Sequence, residues 1–80
     1  MKREEVFERL VKVFREVLDD DSIELTDKTV SDDIDGWDSF EHINLIVAIE
    51  DEFNFKVPLN KVVSMENVGE MVDIIIDLGE

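Results

Sequence analysis

Apolar residues recur at helical spacing in three separate stretches of this chain, which commits it to helices packed on helices. In the first stretch Phe7, Leu10, Val11, Phe14, Val17 and Leu18 alternate with charges, which predicts an amphipathic helix from roughly Arg3 to Leu18. Asp19-Asp20-Asp21 then breaks it. In the second, Phe40, Ile43, Ile46, Val47 and Phe53 recur behind Asp38 or Ser39 as N-cap, and the helix should end near Asn54. Leu45, Ala48 and Ile49 widen its apolar face, so this helix is expected to be mostly buried or to carry a second contact surface. In the third, Val68, Met71, Val72, Ile75 and Leu78 follow an Asn67 and Glu70 capping pair and end at Gly79. Pro58 suits the first turn of a short helix carrying Leu59, Val62 and Val63.

The expected fold is all-α: a small antiparallel four-helix bundle of three main helices and a short third one, in a single domain over residues 1–80. Phe7, Phe14, Ile43, Ile46, Phe53, Met71 and Ile75 are its expected core. Residues 19 to 38 carry turn and breaker types with isolated apolar anchors at Ile23, Leu25, Val30 and Ile34. That pattern predicts a long ordered loop with its own packing contacts, and loops of such length are usually functional or disordered.

Charge narrows the partners. The net charge is −14, and residues 1–15 carry +2, so the remaining chain carries −16. Such a surface is repelled by nucleic-acid phosphates and by anionic membranes, and it favours basic surfaces on other proteins. Self-repulsion also predicts that added salt or magnesium raises the melting temperature, read across a salt series. Cysteine is absent, which excludes a disulfide framework, a thiolate zinc site and a cysteine nucleophile. Any thiol chemistry must use an imported thiol. No apolar run approaches the ~20 residues that span a bilayer, so no membrane insertion is expected. The N-terminus lacks the apolar stretch of a signal peptide, and a monomer in the cytoplasm is the expectation.

Chemistry concentrates in Asp35-Gly36-Trp37-Asp38-Ser39-Phe40-Glu41-His42. A serine stands at the start of a strong helix, behind a flexible glycine and beside an acid. Helix N-termini present unpaired N–H groups, so a phosphate attached there is locally stabilised. The plainer reading makes Asp38 and Ser39 ordinary capping residues. Asp38, Ser39 and His42 also include the residue types of a hydrolytic triad, but nothing evident orients His42 from its far side. His42 is expected to be solvated or to face a partner. Asp33-Ile34-Asp35-Gly36 matches the middle of a calcium loop, yet Ser31 and His42 would fall where Asp and Glu are needed, so no metal site is assigned. Trp37 is expected to act as an indole lid on the bundle. Glu41, Glu50 and Asp51 can share a side of the second helix with Asp38, close to Ile43 and Val47, as a docking surface for basic partners would require.

With Asp38-Ser39-Phe40 followed by Ile43 and Leu45-Ile46-Val47-Ala48-Ile49-Glu50-Asp51-Glu52-Phe53, the chain resembles the acyl carrier protein family. Val57-Pro58 before the short helix and Asn67-Val68-Gly69 opening the last helix extend the resemblance to nearly the whole sequence. In that family an Asp-Ser-Leu motif opens the second helix, and its serine receives 4'-phosphopantetheine from coenzyme A. The resemblance implies that Ser39 is the attachment residue, that Asp38 supports the modification, and that the imported thiol holds acyl groups as thioesters. It implies a non-enzyme whose partners are a phosphopantetheinyl transferase and acyl- or aminoacyl-loading ligases and synthases, docked through Glu41, Ile43, Val47, Glu50 and Asp51. Phe40 replaces the usual leucine, and Asn44 stands where carriers of fatty acid synthesis commonly have an acid. The Gly-Trp-Asp-Ser and His-Ile-Asn-Leu-Ile context leans toward discrete carriers of specialised pathways, including polyketide and D-alanyl carriers. An unmodified acidic adaptor is the alternative from another class.

Overall fold

In a computed structural model describing residues 2–79, the helices are α1 (Arg3–Val17), α2 (Ser39–Phe53), α3 (Leu59–Val62) and α4 (Val68–Leu78), with a 3-10 turn at Ser31–Asp33. There is no strand among the described residues. The chain is an all-helical bundle in which α1 packs against both α2 and α4.

The helix ends follow from the residues found there. Leu18 caps α1 rather than extending it, and Asp19 adopts a left-handed φ of 53°. That lets the Asp20 N–H bond the Arg15 carbonyl at 3.0 Å, a closing pattern that satisfies an otherwise orphaned acceptor. Asp38 caps α2 by accepting from the Glu41 N–H at 2.8 Å, and Asn54 ends that helix at φ 62°. Asn67 caps α4 by accepting from the Glu70 N–H at 2.8 Å. The Glu70 carboxylate returns one residue further than a standard capping box, accepting from the Glu66 N–H.

The core comprises Val6, Leu10, Val13 and Phe14 of α1, Leu45, Ile46, Ile49 and Phe53 of α2, and Val68, Met71, Val72 and Ile75 of α4. Ile23, Ile34, Val57 and Val62 add to it from the connections. Two expected core residues differ. Phe7 is only partly buried, and Ile43 lies 52% exposed. With 100° per residue, Leu45, Ile49, Phe53 and Ile46 occupy an arc of roughly 100° on α2, and Ile43 falls beyond its edge with Val47 and Phe40. The apolar face of α2 is therefore wider than the core it meets, which gives it a second, outward surface. On α3 only Val62 is buried, while Leu59 and Val63 are exposed.

The long first connection is ordered, as its anchors require. Ile23 and Ile34 are buried, and Leu25 and Val30 are half-buried. It is stitched to the start of α4 by the Val68 N–H to the Thr29 carbonyl at 2.8 Å and the Gly69 N–H to the Asp27 carbonyl at 2.9 Å. Gly69 permits that approach: a Cβ there would stand 2.7 Å from the Asp27 carbonyl oxygen. Arg3 of α1 ties Asp27 to Asp73 of α4, and these two carboxylates, Asp27 first, raise its guanidinium pKa.

Candidate functional site

Ser39 is the first residue of α2 and is exposed. Its own N–H and that of Phe40 belong to the first helical turn, which has no preceding carbonyls to bond. Asp38, one residue earlier, spends Oδ1 on the Glu41 N–H, and its carbonyl accepts from the His42 N–H at 2.8 Å. The plain capping role of Asp38 is thus real, and it leaves the Ser39 side chain at the rim of the helix end. Gly36, at φ 86°, turns the chain into this corner, and apart from its own chain neighbours no atom lies within 4 Å of where its Cβ would be.

Beside Ser39 opens a cleft of about 610 Å³. One wall is Ser31, Asp32 and Trp37 from the first connection; the other is Val62, Val63 and Met65 from the second. Met71 of α4 lines it and is fully buried. Trp37 sits edge-on to Phe14, ring centroids 4.9 Å apart at 85°, which seats the indole as the expected lid.

His42 departs from its expected role. Trp37 Nε1–H donates to its Nδ1 at 3.2 Å, and its Nε2 meets the Val62 carbonyl at 3.2 Å. An indole nitrogen only donates, so Nδ1 is the acceptor and Nε2 carries the proton given to Val62. His42 is therefore neither a solvated side chain nor a general base for Ser39, because both nitrogens are in use. The sequence did carry a signal for this. Position 42 lies three and four residues before Leu45 and Ile46 and seven before Ile49, on the buried arc of α2.

The expected docking residues divide between two surfaces. Ile43 lines the Ser39 cleft with Asp38. Val47, Glu50 and Asp51 line a second groove of about 620 Å³ with Asn44, Phe55 and Lys56. Glu41 is part-buried and its carboxylate accepts from Asn44 Nδ2 at 3.0 Å. Glu50 is the most withdrawn, with its side chain 19% exposed and Oε2 accepting from the Val57 N–H at 2.7 Å. Sequence periodicity placed Glu50 on an acidic face but carried no sign of this bond to the next connection. Phe40, Ile43 and Val47 form the exposed apolar stripe, 73%, 52% and 59% accessible.

Residues 8–75 match the family model described as a phosphopantetheine attachment site. The acyl carrier protein of Saccharopolyspora erythraea is 31% identical over 78 residues, covering 98% of this chain and 82% of that protein. That of Phenylobacterium zucineum is 34% identical over 71 residues, covering 89% and 90% respectively. The solution structure of a holo acyl carrier protein from Geobacter metallireducens superimposes with a TM-score of 0.84 at 42% identity, over 90% of this chain and 83% of that one. The chain belongs to the acyl carrier protein family, whose members carry a covalently attached 4'-phosphopantetheine and work with transferases and synthases. The corner at Ser39 fits such a group: an exposed hydroxyl at a helix N-terminus, unobstructed space at Gly36, and a cleft alongside.

Proposed function

We propose that Ser39 is the attachment residue, and that this chain presents acyl or aminoacyl cargo to partner enzymes without catalysing their reactions. The observation that carries this is the setting of its hydroxyl compared with the other serines. Ser22 Oγ donates to Asp20 at 2.6 Å, and Ser64 Oγ donates to the Lys61 carbonyl at 3.1 Å. Ser31 starts only a 3-10 turn. Ser39 alone opens a 15-residue helix on the rim of the cleft.

In the transferase site Ser39 Oγ attacks the β-phosphorus of coenzyme A, a P–O bond forms, 3',5'-ADP departs, and the hydroxyl proton passes to a base of the transferase. Asp38 supports the step by fixing the first turn of α2 through its bond to the Glu41 N–H, which sets the position of the adjoining Ser39. The attached arm supplies the thiol that this cysteine-free chain lacks, and cargo is held there as a thioester. Ile43 and Val47, with Phe40, give partners an apolar centre; Glu41, Asp51 and Glu50, whose outer oxygen Lys56 approaches only to 4.0 Å, give basic docking surfaces their complement. The charge of −14 opposes self-association, which supports a monomer, and we read the chain as one domain acting in the cytoplasm. No helix among the described residues is long and apolar enough to cross a membrane.

Intact mass after incubation with coenzyme A, magnesium and a broad-specificity phosphopantetheinyl transferase tests the assignment. The parent should gain one phosphopantetheinyl group and Ser39→Ala none. A modified Ser39→Ala protein would overturn it, and a folded parent that stays unmodified beside a modified control carrier would favour the acidic adaptor.

A further inference from the structure

The α3 segment has little to hold it in place. A four-residue helix is far below the length at which helices persist alone, and only Val62 of its residues is buried. Its last carbonyls lie beyond the reach of an intrahelical donor, and the Val62 carbonyl finds one in His42 of α2. The bond crosses the gap between α2 and α3 directly beside the cleft at Ser39, and both residues line that cleft. Trp37, packed on Phe14, fixes the ring from the other side through Nδ1, so the imidazole has one tautomer and one orientation.

We propose that His42 is a specificity-determining latch: by bonding Val62 it holds α3 against α2 and closes the way from the Ser39 cleft into the apolar core. This rests on the reading of Ser39 as the attachment point, which brings cargo to the mouth of that cleft. An apolar chain tethered there passes Met71, which already lines the cleft, and is drawn on toward Leu45 and Ile46 by the hydrophobic effect. To reach them it must part α3 from α2, which leaves both the Val62 carbonyl and the His42 N–H without partners in a part-buried place. The latch therefore favours short or polar cargo carried outside the helices over long alkyl cargo buried within them.

Methyl resonances of Leu45 and Ile46, which lie behind the cleft lining, read the difference in holo protein loaded with acetyl or octanoyl cargo, with intact mass confirming arm and cargo on each sample. In the parent, acetyl and octanoyl forms should give the same core resonances. In His42→Ala the octanoyl form should shift them. His42→Gln, whose amide can still donate to Val62, should return the parent pattern. Should His42→Ala not fold, His42→Phe keeps the ring volume without the donor and serves in its place. Core shifts with octanoyl cargo in the parent, or none in the variant lacking the donor, would overturn the latch. Amide exchange of Val62 and Val63 in unloaded protein tests it without any arm: it should quicken in His42→Ala and not in His42→Gln, and equal exchange in all three overturns the proposal. A missing mass gain counts against the carrier reading alone.

Discussion

The two connections that wall the cleft at Ser39 are held in opposite ways. The first, between α1 and α2, is pinned by backbone bonds from Val68 and Gly69 to Thr29 and Asp27, by Arg15 Nε on the Ile23 carbonyl at 3.0 Å, and by Arg3 on Asp27. It buries Ile23, Thr29 and Ile34. The second, between α2 and α4, buries Val57 and Val62 but, beyond the end caps of α2 and α4, has no backbone bond to a helix outside it among the described residues. It leans on two α2 side chains, Glu50 on the Val57 N–H and His42 on the Val62 carbonyl, and exposes Leu59 and Val63. Backbone bonds backed by buried apolar groups open only with much of the fold, whereas segments with few buried contacts open locally. The serine thus stands between a fixed wall and a movable one.

Breaking the fixed wall should cost most. Gly69→Ala drives a Cβ into the Asp27 carbonyl, and neither backbone can yield without losing the seam, so a loss of about 2 kcal/mol is expected in urea unfolding. Glu50→Ala removes the acceptor of the Val57 N–H and should cost about 1 kcal/mol, with faster exchange confined to the second connection. Val63→Ser, on the exposed side of α3, should change stability by less than about 0.5 kcal/mol, because almost no burial is lost. The smallest effect belongs to Asp20→Asn. The Ser22 hydroxyl and N–H hold the Asp20 carboxyl below its ordinary range. Its ionised form therefore favours the folded state above the unfolded pKa, and this contribution fades as pH falls through the folded value. The parent should be slightly the more stable at neutral pH, and the difference should close in an acid series of melting temperatures.

The comparison also explains what could be read from residues alone. α1, α2 and α4 were legible because each repeats apolar residues over several turns, and their caps at Asp38, Asn67 and Gly79 stand where the pattern begins or ends. The Ser39 motif was legible for the same reason, being local. Ile43 was read both as core and as docking surface, and its core placement failed because α2 is apolar on more than one side and periodicity cannot tell which side meets the core. His42 was misread, and the second bond of Glu50 went unseen, because their partners, the Val62 carbonyl and the Val57 N–H, are backbone groups of another segment. No side-chain pattern records where such groups will lie.

Residue-resolved amide hydrogen exchange on the unloaded protein tests the fixed and movable walls most directly. Val68 and Gly69, sealed to Thr29 and Asp27, should exchange with the slow core of α4, while Val57, Val62 and Val63 should exchange at least about tenfold faster. Equal protection of the two sets would contradict the account, showing that both walls open only when the whole bundle does.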